Sequence, residues 1–277
     1  MIETNNVVII SDIHGGCRLG LYPPEPVLMD EAPEGGWSQT PFQARLWEFW
    51  TYFWDKWVPE ATKKEKYSVI FNGDALDGVH HNAVHQITHN LSDQANIAEA
   101  VLRPVVARCD GRYFHIRGTE AHVGASGQEE ERLARRIGAM PDEEGRHARY
   151  DIWKQIGPSL IHTLHHIGTT GSQAYELTAL GKEMSEEFGE AAAWGQKIPD
   201  VIVRSHRHRY SLGERPTYHG RAISVVTPGW QGKTPFVWKI PGGRLSQPQF
   251  GGILVRHAHG RTFVDAYVQT ITRSAVE

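Results

Sequence analysis

Short apolar runs followed by polar turns recur along the chain and alternate with longer segments of helical periodicity. The apolar runs predict strands over residues 7–10, 68–71, 113–116, 160–164, 201–203, 222–226, 252–255 and 262–268. A helical spacing of apolar residues predicts helices near 41–58, 91–107, 128–138 and 172–195. Gly260 lies between the last two strands and favours a hairpin turn. Strands that alternate with helices and end in a hairpin predict a layered α/β fold.

Two stretches rich in proline and glycine, residues 22–41 and 228–251, predict irregular surface segments. Neither resembles a domain linker, because the polar clusters described below lie on both sides of each stretch. We therefore expect one domain over residues 1–277, with an insertion of loop and helix at about 20–64 and an irregular segment at about 228–251.

The composition is that of an ordinary globular protein, with 40% hydrophobic and 22% charged residues among 277. The net charge of −3 gives no overall basic field that would attract nucleic acid, although bound cations would change this balance. The 2 cysteines are too few for a disulfide framework, and no apolar run has the length of a membrane span or a signal peptide. We therefore expect a soluble, cytoplasmic protein that does not bind membranes.

Acidic and histidine side chains follow the predicted strands at the points where the strands end. These residues are Asp12, His14, Asp74, Glu120, His122, His165, His166, His206 and His208. Open α/β sheets bind ligands at the carboxyl ends of their strands, so these side chains lie where ligand-binding groups are expected. One such residue is commonly a helix cap, but five clusters in succession are hard to explain as caps. Carboxylate oxygen and imidazole nitrogen without thiolate form a ligand set for Mn, Fe or Zn.

The order of these motifs resembles the calcineurin-like metallophosphoesterases. The matching segments are "DIH" at 12–14, "GD" at 73–74, the turn at 118–122, "HIG" at 166–168 and "HRH" at 206–208. Each motif is weak alone, but their order over residues 7 to about 230 is specific. The resemblance implies a four-layer αββα sandwich, in which two mixed sheets are flanked by helices and a two-metal site lies at the strand ends.

The resemblance also implies a ligand set for two divalent ions, for which we expect Mn, with Fe or Zn as alternatives. For the first ion it implies Asp12, His14 and His208, with Asp74 bridging both ions. For the second ion it implies His206 and either His166 or His165. We prefer His166, because Gly168 follows it as in the family's "HxG" motif.

The turn at 118–122 departs from the family, which usually has Gly-Asn-His there, with the Asn as a metal ligand and the His as the proton donor. Here Thr119 takes the place of the Asn. Because a carboxylate is a better ligand than a hydroxyl, we expect Glu120 to bind the second ion, although a glutamate in this position also suits the first turn of a helix. We expect His122 to be the catalytic proton donor.

The activity implied by the resemblance is hydrolysis of a phosphate ester through attack of a hydroxide that bridges the two ions. Arg117, Arg207 and His81 are candidate substrate-binding residues, and together with nearby aromatic residues they favour a phosphodiester of a nucleotide or nucleic acid. The alternatives are a phosphomonoesterase or protein-phosphatase-like activity, or a catalytically weak metal-binding scaffold. A homo-oligomer is compatible with the sequence.

An aromatic segment at residues 47–57 follows a helical stripe that predicts burial. The stripe consists of Phe42, Leu46, Phe49, Phe53 and Trp57. Three tryptophans lie off this stripe, at positions 47, 50 and 54, and are candidates for stacking on bases or for covering another subunit.

Overall fold

Two β-sheets form the centre of the protein in the computed structural model, which describes residues 4–30, 32, 36–80, 83–168, 172–218 and 220–271. The strands of the first sheet, in spatial order, are β11 (Arg261–Gln269), β10 (Phe250–Ala258), β1 (Asn6–Ile10), β2 (Ser68–Asn72), β3 (Tyr113–Ile116) and β4 (Ala148–Arg149). Those of the second sheet are β5 (Asp151–Ile156), β6 (Ser159–Leu164), β7 (Val201–Arg204), β9 (Gly220–Val226) and β8 (Ser211–Thr217).

All eight predicted strands are present, and three further strands were missed. The missed strands are β4, β5 and β8, which lie at sheet edges. Edge strands expose more of their side chains, so β8, which contains a proline and is mostly solvent-accessible, has little apolar signal. The predicted hairpin joins β10 to β11 through His259 and Gly260, whose φ angles of 51° and 72° suit a tight two-residue turn.

The helices lie close to their predicted positions. They are α1 (Pro41–Tyr52), α2 (Val58–Ala61), α3 (Leu91–Arg108), α4 (Glu120–Val123), α5 (Gln128–Ile137) and α6 (Glu176–Ala193). A π-helical turn, Phe53–Trp57, joins α1 to α2, and a 3₁₀ turn, Gln173–Tyr175, precedes α6. Helix α1 starts at Thr40 because its hydroxyl and the Gln43 side chain cap each other's backbone N–H groups. The one-turn helix α4 was not predicted.

The sheets and helices form four layers, as the fold prediction requires. In β1, Val8 and Ile10 pack towards α1, α3 and α5, while Val7 and Ile9 pack between the two sheets. This alternation follows from the two-residue period of a strand. Helix α6 covers the outer face of the second sheet, where Leu180 packs against the end of β9. The predicted αββα sandwich of two mixed sheets is therefore confirmed.

The aromatic segment belongs to the core rather than to an exposed surface. Trp50 and Trp54 are buried, although the helical stripe predicted that they would lie off the core face. Trp50 lies in the regular part of α1, four residues after the buried Leu46 and so on the same face, whereas Trp54 lies in the π-helical turn, whose extra residue changes which side chains face inward. Trp50 packs edge-on against Trp230, with ring centroids 4.9 Å apart, so it supports the loop that follows β9. Stacking of Trp50 or Trp54 on bases is therefore not supported.

Parallel strands bring the candidate side chains to one edge of the molecule. Strands β1, β2 and β3 are parallel neighbours in the first sheet, and β6, β7 and β9 are parallel neighbours in the second. Their carboxyl ends meet where the two sheets face each other, which is the usual place for a ligand site in such sheets. Among the helices of the described residues, none combines the length and apolar character needed to cross a bilayer.

Candidate metal centre

Six side chains from the strand ends form two adjacent groups. The first group is Asp12, His14 and His208, and the second group is Asp74, His165 and His206. Within each group the potential ligand atoms lie within 4.8 Å of one another. In the first group His208 Nε2 is 3.2 Å from Asp12 Oδ1, and in the second His165 Nε2 is 3.1 Å from Asp74 Oδ2. The groups are neighbours, because His165 Nε2 also lies 4.0 Å from Asp12 Oδ1.

The backbone at these positions is unusual. Asp12, His14, Asp74, His206 and His208 all have positive φ angles, between 45° and 70°. A side chain with a Cβ pays a steric cost for this conformation, so it persists where the surrounding structure requires it, commonly at functional sites. The turns thus direct side chains from successive strand ends towards one point.

Two glycines make room for the groups at close range. A Cβ on Gly229 would lie 2.9 Å from His208 Cγ and 3.0 Å from Asp12 Cβ. A Cβ on Gly118 would lie 2.0 Å from Asp74 Oδ1. These contacts are shorter than real Cβ atoms tolerate, so only glycine lets these turns pack directly against the metal-binding candidates.

Outer hydrogen bonds orient the imidazole rings. His165 Nδ1 donates to the carbonyl of Asn72 at 2.6 Å, which leaves its Nε2 as the atom that faces Asp74. His14 Nδ1 lies 3.3 Å from the buried carboxylate of Asp77, and Gln86 and Gln231 donate hydrogen bonds to the same carboxylate. Outer carboxylates and carbonyls of this kind fix the ligating nitrogen of metal-binding histidines.

Asp77 was not selected from the sequence, although it lies in the same "GDALDG" segment as Asp74. Its fully buried side chain has three imidazoles within 4 Å, those of His14, His80 and His85. Glu130 was missed as well. Its buried carboxylate accepts from the N–H of Ala75 at 2.8 Å and from that of Gly118, so it ties the turn after β2 to the turn after β3.

The electrostatics of the groups favour a bound cation. Burial raises the pKa of Asp12, but His208 and His165 together lower it by more, to about 2. Burial likewise raises the pKa of Asp74, while His165, His122 and His206 together lower it well below the ordinary value. Burial lowers the pKa of His14 to about 4, so this ring is neutral near pH 7, as a metal ligand must be. Burial lowers the pKa of His165, but Asp74 and Asp12 raise it by more, to about 10, so the two buried carboxylates favour positive charge beside them.

The donor set fits divalent metal ions. Asp12 Oδ1 is buried and makes no hydrogen bond of good geometry with any described residue, even though His208 Nε2 is near. A buried carboxylate oxygen without a donor is costly unless a cation neutralises it. Oxygen and nitrogen donors in each group match the preferences of Mn, Fe or Zn.

The turn after β3 brings Thr119, and not Glu120, to the second group. The Thr119 hydroxyl lies 3.1 Å from Asp74 Oδ2, 3.1 Å from His206 Nδ1 and 3.3 Å from His165 Nε2. Glu120 is the first residue of helix α4, and its side chain is exposed. The arrangement therefore gives no support to Glu120 as a ligand. Thr119 takes the position of the family's Asn and contacts the second group, although its hydroxyl is a weaker metal ligand than a carboxylate. Position in the turn decides which side chain points inward.

The neighbouring histidines after β6 differ in the same way. His165 is fully buried within the second group, whereas His166 is exposed and belongs to neither group. The two rings are 5.3 Å apart and nearly perpendicular. The preference for His166 is therefore not supported. The structure places the alternative, His165, in the second group, and one residue is enough to reverse the direction of a side chain at a strand end.

His122 lies beside the second group and faces an open cavity. Its Nδ1 is 2.6 Å from the carbonyl oxygen of Asp77, and its Nε2 is 3.9 Å from Asp74 Oδ2. A carbonyl oxygen can only accept, so Nδ1 carries the proton of this bond and Nε2 is the ring nitrogen that faces Asp74.

The three predicted substrate-binding residues differ in where the structure places them. Arg117 donates to the carbonyls of Ala148 and Ser126 and does not line the cavity, so it has a structural role at the sheet edge. Arg207 lines the cavity beside the metal-binding candidates. His81 lies outside the described residues.

Comparisons with known proteins give distant structural likenesses. No family model matches the sequence, and no curated protein matches it significantly. A predicted phosphoesterase from Streptococcus pneumoniae has a TM-score of 0.39 and 11% identity, with 97% of this chain and 98% of that chain covered. Vacuolar protein sorting 29 from Cryptosporidium parvum has a TM-score of 0.39 and 13% identity, with 97% and 100% covered. A double mutant of Vps29 from Entamoeba histolytica has a TM-score of 0.38 and 11% identity, with 95% and 99% covered.

These TM-scores are too low to support an argument about family or function. The structure itself shows four layers, two mixed sheets and metal-binding candidates at the carboxyl ends of the central strands. This is the architecture that the resemblance to the calcineurin-like metallophosphoesterases implied.

Proposed function

We propose that this chain is a dimetal phosphoesterase that hydrolyses a phosphodiester of a nucleotide or nucleic acid. The observation that carries the proposal is the meeting of the first and second groups at the junction of the two sheets. Asp74 would be shared between the ions, and Thr119 would complete the second group in place of the family's Asn. Two bound divalent ions would supply Lewis acidity towards the phosphoryl oxygens.

The chain's own residues would bind the ester and move protons. His122 lines the cavity and its Nδ1 donates to the Asp77 carbonyl, so His122 in its imidazolium form would pass the Nε2 proton to a leaving alkoxide. Arg207 would donate hydrogen bonds to phosphate oxygens, because charge-assisted bonds from a guanidinium suit a phosphate. Asp77 is proposed as a positioning residue, since its carboxylate lies 3.3 Å from His14 Nδ1 and its carbonyl oxygen accepts the hydrogen bond from His122 Nδ1.

Mn²⁺ is the proposed metal, because imidazole-rich sites favour it over the harder Mg²⁺. We also propose a reducing, cytoplasmic environment, because Cys17 and Cys109 are buried free thiols.

Metal removal and replacement test the proposal. The purified protein would be treated with EDTA, dialysed, and reloaded with Mn²⁺ or Mg²⁺. It would then be assayed on bis(p-nitrophenyl) phosphate, p-nitrophenyl phosphate, cyclic nucleotides, and single- and double-stranded DNA. We expect two ions per chain, hydrolysis of a diester with Mn²⁺, and weaker rescue by Mg²⁺. Failure to bind Mn²⁺ would refute the assigned site, and preference for the monoester would refute the diester assignment.

A metal-binding scaffold is the second candidate, and Thr119 is the observation that favours it. A hydroxyl is a weaker ligand than the amide oxygen of Asn, so the second ion would bind less tightly than in the family's usual motif. Binding of metal without hydrolysis of any ester in the panel would support the scaffold.

A further inference from the structure

Residues 230–249 form a loop whose two ends are attached to the first group. At its start the Trp230 N–H donates to the carbonyl of Asp12 at 2.9 Å. At its end the Gln249 N–H donates to the carbonyl of His208 at 3.3 Å. The ends also meet each other, because the Gly229 N–H donates to the Gln249 carbonyl at 3.1 Å. A connection of this length without helices or strands of its own is uncommon in a compact domain and is usually functional. We call it the 230–249 loop.

The 230–249 loop forms one wall of a cavity of about 450 Å³. The floor of the cavity contains His14, Asp74, Thr119, His122, His206 and His208, which are the metal-binding candidates and their neighbours. The wall presents Phe236, Val237 and Ile240, and Ile167 lines the cavity as well. Phe236 retains 44% of its accessible surface, so its ring can be covered by a ligand. An apolar wall beside a polar floor is typical of a small-molecule site.

Arg207 lines the cavity and is the basic side chain of its lining that has no ion pair among the described residues. Its two terminal guanidinium nitrogens are enclosed by the protein and have no hydrogen-bond partner there. The other basic side chains of the lining are already engaged. Arg209 pairs with Glu176 at 2.9 Å, and the Lys233 ammonium donates to the Ser246 carbonyl at 3.2 Å. Buried donors without partners are costly, so a change of side-chain rotamer that brought the Arg207 guanidinium to an anion in the cavity would be favourable.

From these features we infer that the cavity is a subsite for one nucleoside-sized aromatic ester group, which lies against Phe236, Val237 and Ile240 while Arg207 binds the phosphate to which it is attached. The inference rests on the proposed function and narrows it to small phosphodiesters, since a cavity of about 450 Å³ suits a single small ligand rather than a duplex. A planar ring stacks on a phenylalanine whatever its hydrogen-bonding groups are, so the wall would select for aromatic character more than for a particular base.

Binding measurements distinguish the contribution of the aromatic ring to affinity from that of the phosphate. Isothermal titration calorimetry of the Mn²⁺-loaded protein would compare inorganic phosphate, adenosine 5′-monophosphate and octyl phosphate. We expect the nucleotide to bind at least about tenfold more tightly than phosphate, given the energy of stacking on an aromatic side chain. Phe236→Ala should remove about tenfold of the nucleotide's affinity and leave that of phosphate unchanged.

Two further variants complete the design. Leu245→Ala is the matched control, because Leu245 lies in the same loop, is 79% exposed and does not line the cavity. It should bind all three ligands as the wild type does. Arg207→Gln should weaken phosphate and nucleotide alike, with two Mn²⁺ ions still bound.

The outcomes distinguish the inference from the function on which it rests. Equal affinity for nucleotide and phosphate, or a loss of both in Phe236→Ala, would overturn the aromatic subsite even if diesters are hydrolysed. Tighter binding of octyl phosphate than of the nucleotide would show that the wall accepts a flexible alkyl chain better than an aromatic ring and would also overturn the aromatic subsite. A preference for the nucleotide without hydrolysis of any ester would refute the proposed function and leave the subsite standing.

Discussion

Replacing Thr119 by valine tests which side chain of the turn after β3 completes the second group. The substitution keeps the β-branched shape and removes only the hydroxyl, which lies 3.1 Å from both Asp74 Oδ2 and His206 Nδ1. The hydroxyl does not cap helix α4, and the bond from the Thr119 N–H to Asp74 Oδ1 at 2.6 Å is a backbone bond that valine retains. The change is therefore confined to the metal-binding groups.

The expected magnitude follows from the removal of one oxygen donor beside the second group. Removing a group that orients or completes a metal site typically lowers metal affinity by roughly 10- to 100-fold, or about 1.4–2.8 kcal/mol. Only the second ion should be affected, because the Thr119 hydroxyl contacts members of the second group. Titration calorimetry with Mn²⁺, combined with counting of bound ions after dialysis, would measure both sites. We expect the second binding step to weaken and the first to remain.

Glu120→Ala is the control, because the exposed Glu120 side chain belongs to neither group. It should bind both ions as the wild type does, and its thermal unfolding should be similar. Thr119→Asn introduces the amide oxygen usual in the family and should bind the second ion at least as tightly as the wild type. Loss of the second ion in Glu120→Ala, together with its retention in Thr119→Val, would show that the reasoning from the turn geometry is wrong.

Three further predictions concern the shared carboxylate, the proton donor and a buried histidine outside the metal centre. Asp74→Asn should abolish diester hydrolysis in a steady-state assay while circular dichroism shows a folded protein; wild-type turnover at saturating Mn²⁺ would contradict its bridging role. His122→Ala should keep both ions but lose about 10²–10⁴-fold in kcat on a poor leaving group, and less on a nitrophenyl ester, and an unchanged rate on the poor leaving group would assign the proton to another residue. Burial lowers the pKa of His162, but hydrogen bonds with Asp151 and Glu187 raise it by more, so its net pKa lies above the ordinary value of 6.5. The protonated His162 therefore stabilises the fold fully below pH 6.5, and this contribution is lost as the pH rises through the folded-state pKa. Tm of the wild type should exceed Tm of His162→Gln by more at pH 6 than at pH 9. An equal difference in Tm at both pH values would refute this linkage.

Local sequence was sufficient for the central strands and for most residues at their ends. Strand β3 begins and ends at the predicted residues 113 and 116, because a run of apolar side chains bounded by polar turns leaves little choice of register. Asp12, His14, Asp74, His206 and His208 were selected from their positions directly after such runs, and the structure brings all five together. Parallel strands force this meeting, since their carboxyl ends share one edge.

Tertiary structure decided which of two adjacent residues faces the metal-binding groups and which side chains are engaged by distant segments of the chain. His165 rather than His166 lies in the second group, and Thr119 rather than Glu120 contacts it, because adjacent residues at a strand end point in different directions. Arg117 is engaged by carbonyl groups of other segments, which sequence spacing does not reveal. The sequence by itself determined where strands end and which chemistry follows them, because both depend on neighbouring residues. The three-dimensional packing alone decided which side chain of each pair turns inward, because that direction depends on contacts made across the fold.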